Sequence, residues 1–163
     1  MLSRAAGSNN TTAIRARRGL ALVRMLVGAM FVWVFFENYG KGLYTPGGYA
    51  SLINIYATKG HAPEAWKAVM RLMAANATVA APMQALAELS FGVLLILGVL
   101  TPPVAFAAFG FLTSLWISEW GTAWIWELLT PMGAALGASI GAAGRTWGID
   151  SILSRRNPDA IWW

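Results

Sequence analysis

The chain has 163 residues, of which 57% are apolar and only 12% charged, against about 45–50% apolar and about 25% charged in an average soluble domain. A water-soluble domain of this length needs more charge to cover its surface, so the composition points to one integral membrane domain. With no cysteine and a single histidine, His61, the chain alone cannot build a disulfide, an iron–sulfur cluster, a thiol nucleophile, a bis-histidine haem or a multi-histidine metal site.

Residues 1–18 carry Arg4, Arg15, Arg17 and Arg18 and no acid, which predicts a flexible basic tail. The apolar run that follows is too long for the core of a signal peptide and lacks a small-residue cleavage site. It reads as a first membrane span over about 19–40, long enough at about 1.5 Å per residue to cross a hydrocarbon layer of roughly 30 Å. In the next forty residues, Tyr49, Leu52, Ile53 and Tyr56 recur at helical spacing before Gly60, and Trp66, Val69, Met70 and Met73 do so after Pro63. Two short amphipathic helices at the outer membrane surface are expected there. A second span is predicted over about 80–100, ending at Thr101-Pro102-Pro103, a third over 104–120 and a fourth over 124–144. Residues 145–163 mix Trp, Ile and Arg in the manner of an interfacial tail.

The expected fold is therefore all-α, a polytopic bundle of four transmembrane helices (residues 19–144) with interfacial helices in the first outer loop. Arg145, Arg155 and Arg156 follow the fourth span as the other arginines precede the first, so both termini are expected to be cytoplasmic; Lys41, Lys59, Lys67 and Arg71 are a weaker, dispersed counter-signal. The net charge of +5 belongs to this pattern: basic residues beside apolar runs serve topology and anionic headgroups, and no nucleic-acid partner is expected. The nine tryptophans suit the membrane–water boundary.

Charge inside a membrane is costly, so each instance asks for a partner or a purpose. Arg24 lies near the cytoplasmic end of the first span, where it can snorkel to headgroups or pair with a helix or ligand. Glu37, Glu88, Glu119 and Glu127 all fall in the outer half, with Asn38, Lys41, Gln84 and His61 in the neighbourhood. Glu88 is the deepest, roughly 12 Å below the outer end of its span. Two readings follow: a polar pocket open to the outer face, able to hold a quinone head group or relay a proton, or a structural knot in which Glu88 bonds to a neighbouring helix. Trp116, Trp120, Trp124 and Trp126 are boundary anchors or a stacking wall for a ring-shaped ligand. Gly133, Gly137 and Gly141 form a small-residue ridge for close approach of another helix, internal or from another subunit. No phosphate-binding glycine loop, serine triad, metal-ligand cluster or dinucleotide fingerprint is present in the sequence.

Three segments carry a resemblance: LVRMLVGAMFVWVFFENYGKGLYTPGGYA (22–50), ALAELSFGVLLILGVLTPPVAF (85–106) and WELLTPMGAALGASIGAAGRTWGIDSIL (126–153). With Arg24, Gly28, Glu37 and Lys41 in the first, Glu88, Gly92 and Gly98 in the second and Gly144, Arg145, Trp147 and Asp150 in the third, the chain resembles the DoxX/DoxD group of small four-helix membrane proteins. It looks most like the DoxD-type small subunit of thiosulfate:quinone oxidoreductase. The resemblance implies a protein of the bacterial inner membrane that passes electrons to quinone with a partner subunit. On that footing, Glu88 and Glu37 are the expected catalytic residues, with Arg24, Lys41, Trp116 and Trp120 binding the quinone and no metal, haem or iron–sulfur cluster held by this chain alone. The alternative is a non-catalytic accessory subunit of a larger respiratory or photosynthetic membrane complex, joined through the Gly133/Gly137/Gly141 face or the aromatic rim.

Overall fold

A computed structural model describes the backbone of residues 2–124 and 126–163 and the side chains of residues 11–124 and 126–163. Arg4, one of the basic flank, lies outside the described side chains. The elements run α1 (Leu2–Gly40), α2 (Pro46–Lys59), α3 (Glu64–Ala75), α4 (Ala77–Leu97), α5 (Thr101–Glu119), α6 (Trp126–Ile140), a 3-10 turn (Ala143–Arg145) and α7 (Asp150–Arg156). Among the described residues the only extended pairing is a single bridge between Trp120 and Ala123.

Three described helices are long and apolar enough to cross a membrane: residues 11–40 of α1, α4 and α5. Their outward faces carry Leu26, Trp33, Phe36, Met83, Leu86 and Phe106, each more than 60% exposed. Water-soluble monomers rarely show an apolar belt of that size, so this is the surface of a membrane protein. The basic tail predicted over 1–18 to be flexible is drawn as helix, continuous with α1 from Leu2. The predicted fourth span also differs. Helix α6 ends at Ile140, because Ala142 turns left-handed at φ 44° and a 3-10 turn follows; its 15 residues cover about 22 Å, less than a hydrocarbon layer. The Gly-Ala run over 141–144 is apolar enough to extend a span on paper, but nothing in its composition commits it to a helix.

α1 lies along α4, α4 touches α5, α5 lies along α6, and α6 returns to α1. These four enclose a core of Val27, Phe31, Leu95, Leu112, Met132 and several alanines. Where α1 crosses α4 the backbones nearly touch: a Cβ on Gly28 would lie 2.9 Å from the Gly92 carbonyl oxygen, and one on Gly92 2.6 Å from Val32. Gly133 and Gly137, by contrast, have open space around them. The third residue of the predicted ridge, Gly141, does face inward, since a Cβ there would lie 2.5 Å from Leu20 of α1; the internal face of α6 itself is Met132, Ala135 and Ala138.

Two helices are present where the sequence places them between the first two spans, as α2 and α3. Tyr49, Ile53 and Ala57 of α2 and Met70 of α3 form a second core with Ala77, Ala80 and Ala81 of α4. Trp66 Nε1 donates to Ser118 Oγ at 2.9 Å. α2 and α3 thus cap one end of the bundle, leaving α7 and the 3-10 turn at the other, the tail end.

Candidate functional site

Glu88 lies on the inner face of α4 and is 1% exposed. Gln84, one turn earlier on the same helix face, donates Nε2 to its Oε1 at 2.8 Å. Packing of α1 along α4 brings Asn38 Nδ2 to Oε2 at 3.2 Å. The third donor comes from the turn between α1 and α2: Gly42, at φ 70°, lets the chain reverse, and Tyr44 Oη reaches Oε2 at 2.5 Å. Tyr44 is held there by stacking on Phe35, with centroids 5.4 Å apart. Burial, then the bond to Glu88 and its charge, push the Tyr44 hydroxyl well above the usual tyrosine range. Neutral donors alone therefore hold the Glu88 carboxyl.

Glu88 forms part of the wall of a cavity of about 460 Å³ that Asn38, Lys41, Tyr56, Glu119 and Glu127 also line. Tyr56 Oη donates to Glu119 Oε1 at 3.3 Å, and burial is the main cause raising that phenol too. Phe31 and Phe111 supply an apolar floor, with Phe91 packed on both at 5.4 and 5.7 Å. Beside the cavity runs an apolar groove of about 410 Å³ between α3, α4 and α5. Tyr49, Ile53, Gln84, Phe111 and Leu115 belong to both walls. A chamber that carries three carboxylates and one ammonium among mainly apolar walls thus shares a partition with a groove that is apolar almost throughout. Among the described residues, no three of His, Asp or Glu come together to hold a metal ion.

No family model, curated protein or solved structure matches this chain. Its site is read from its own chemistry.

Of the residues expected at the site, Glu88 and Lys41 line the cavity. Glu37 does not: it lies on the outward side of α1 and pairs with Lys41, just past the end of that helix, at 2.6 Å, with the two side chains 47% and 58% exposed. Trp116 and Trp120 stack on each other, centroids 6.0 Å apart, and neither is in the cavity wall. Trp124 and Trp126 are 69% and 59% exposed, as boundary anchors would be. His61 packs against Gly121, at φ 86°, and also lies outside the cavity wall. The two tyrosine donors, Tyr44 and Tyr56, carry no sequence signal of this role: Tyr44 sits in a short turn with no motif, and Tyr56 belongs to an apolar stripe.

Arg24 lies about 9 Å along α1 from the nearest residue of the cavity wall, Met30, at about 1.5 Å per residue, and about 20 Å from Asn38 beside Glu88. It neither snorkels nor reaches the cavity. It is wholly buried at the tail end, where Nη2 donates to the Trp147 carbonyl at 3.3 Å and the Gly98 backbone leaves no room for a Cβ. Its Nε and Nη1 find no partner among the described residues. Asp150, also fully buried, accepts from the backbone N–H of Leu100 and of Thr101, both at 2.7 Å, and so caps the start of α5 from a distant part of the chain. The backbone of Ile149 and Asp150 pairs in turn with the carbonyls of Leu97 and Gly98. A Cβ on Gly144 would strike the Asp150 carboxylate and the Thr101 hydroxyl. Leu100, Ala142 and Trp147 all sit at positive φ here, a conformation non-glycine residues hold only when their surroundings impose it. The G-R-x-W-x-x-D segment is thus a structural latch on the α4–α5 turn.

Proposed function

We propose that this chain is the membrane subunit of a quinone-linked oxidoreductase of the DoxX/DoxD kind. In this reading α1, α4, α5 and α6 all cross the inner membrane of a bacterium, with the residues flanking α6 completing its passage. Both termini are cytoplasmic, and the Glu88 cavity opens on the outer side. The observation that carries the reading is the shared wall between a mainly apolar cavity bearing a few charged and hydroxyl groups and an apolar groove, which suits a molecule with a polar ring and an apolar body. Tyr56, Asn38 and Lys41 offer donors to quinone oxygens, and Glu88 hands on protons as the ring is reduced. Two electrons and two protons convert a quinone to a hydroquinone; the electrons come from a partner subunit, since a chain without cysteine and with one histidine has few ligands for a redox centre. Arg24, at the tail end, has no part in this chemistry, and Glu37 acts only by holding Lys41.

Two observations favour a second reading, a non-catalytic accessory subunit. Glu88 already has three donors from its own chain, as in a structural knot. The Gly133–Gly137 face of α6 is open and can receive a helix of another subunit. Gentle purification separates the two. Quinone in stoichiometric amount, with thiosulfate-dependent quinone reduction, supports the first; co-migration with a large complex and no turnover supports the second.

A further inference from the structure

We infer that the groove between α3, α4 and α5 holds the isoprenoid tail of the quinone whose ring occupies the Glu88 cavity, so that the ligand enters sideways from the lipid. The inference rests on the quinone reading and adds the tail as a determinant of binding. The groove and the cavity lie back to back across five shared wall residues, among them Gln84, whose amide is bonded to Glu88, so the ring and the tail of one molecule would meet at this side chain. The groove follows α4 from Asn76 to Ala87, about 16 Å at about 1.5 Å per residue, long enough for the first units of a prenyl chain. Met70, Met73 and Met83 line it, and thioether side chains adapt to irregular apolar shapes. Val79 and Met83 on its rim are 59% and 63% exposed; they lie in the first two turns of α4, a helix long and apolar enough to cross a membrane. An aqueous solute would need no such wall.

The test is equilibrium binding in lipid nanodiscs of a tail-free dimethoxy-methyl-benzoquinone and its decyl-tailed counterpart, compared at equal concentration within the membrane. Ala87→Trp fills the groove, and Met83→Trp narrows its rim from an exposed position. The wild-type protein is expected to bind the tailed quinone at least about tenfold more tightly, and both variants to lose most of that preference while tail-free binding changes less than about twofold. Equal wild-type affinity for the two ligands would overturn the inference, leaving an acyl chain of a phospholipid as the groove's occupant and the quinone reading intact. So would variants that weaken both ligands alike or neither. Binding of neither quinone by the wild-type protein would refute the quinone reading itself.

Discussion

Replacing Asp150 by Ala removes the buried carboxylate that ties the tail end to the start of α5. Its two oxygens accept from Leu100 N and Thr101 N at 2.7 Å, and charge-assisted bonds of this kind contribute about 1.5–3 kcal/mol each. Its charge is also the one that acts on the buried Arg24 guanidinium. Taking one member out of a buried charged arrangement costs about 3–5 kcal/mol, and the two figures overlap because the same carboxylate supplies both. At roughly 2–4 °C of Tm per kcal/mol for a chain of this size, the variant should melt about 6–20 °C lower. Thermal unfolding in detergent, followed by tryptophan fluorescence, measures it. Asp150→Asn keeps one acceptor oxygen and should fall between. Arg24→Met combined with Asp150→Ala should cost less than the two single changes added, since the uncompensated guanidinium is gone. A shift of under about 2 °C for Asp150→Ala would refute the latch.

Gly92→Val should destabilise by about 1–3 kcal/mol through collision with Val32 and the Gly28 backbone, whereas Gly133→Ala, with nothing near it, should be neutral or stabilise by up to about 1 kcal/mol in the same melting assay. Glu88→Gln should keep the fold within about 1–3 kcal/mol, because its shape and most donors remain, yet abolish quinone reduction in membranes; full activity would remove Glu88 from the mechanism. Burial raises the Tyr49 hydroxyl, and burial beside carboxylates raises Tyr44 and Tyr56, above the ordinary tyrosine value of 10.0. These folded-state values exceed the unfolded ones, so their contribution is complete below about pH 10 and is lost as pH rises beyond it. Alkaline titration should therefore release α2 first, seen as faster proteolysis between α1 and α3; resistance of that segment up to the global unfolding pH would contradict it.

Helices α2 to α5 and their order were legible because each has a plain cause in the sequence, namely the apolar runs, the prolines at 102 and 103 and the two stripes of α2 and α3, whereas the helical start of α1 and α7 were not. Glu88 was legible as the deepest acid. The end of α6 was not, since hydropathy sees a Gly-Ala run as continuous apolar chain while the backbone turns at Ala142. Nor was the close helix crossing. It is made by Gly28 and Gly92, lone glycines on different helices, and not by the repeated ridge of α6. Depth along one span placed Arg24 near a boundary, but only the fold brings Trp147 and Gly98 over it. The Glu37–Lys41 pair could have been read from its four-residue spacing, which brings the two charges together at the end of α1.

The absence of cysteine allows a clean measurement of sidedness. Single cysteines at Ser51, exposed on α2, at Lys41 in the cavity wall and at Asp159, exposed in the tail, would be challenged with a membrane-impermeant maleimide in intact cells. A bundle with its cavity open to the outside predicts labelling at positions 51 and 41 without lysis, and at 159 only after it. Labelling of 159 in intact cells, or protection of 41 and 51 until lysis, would contradict the account.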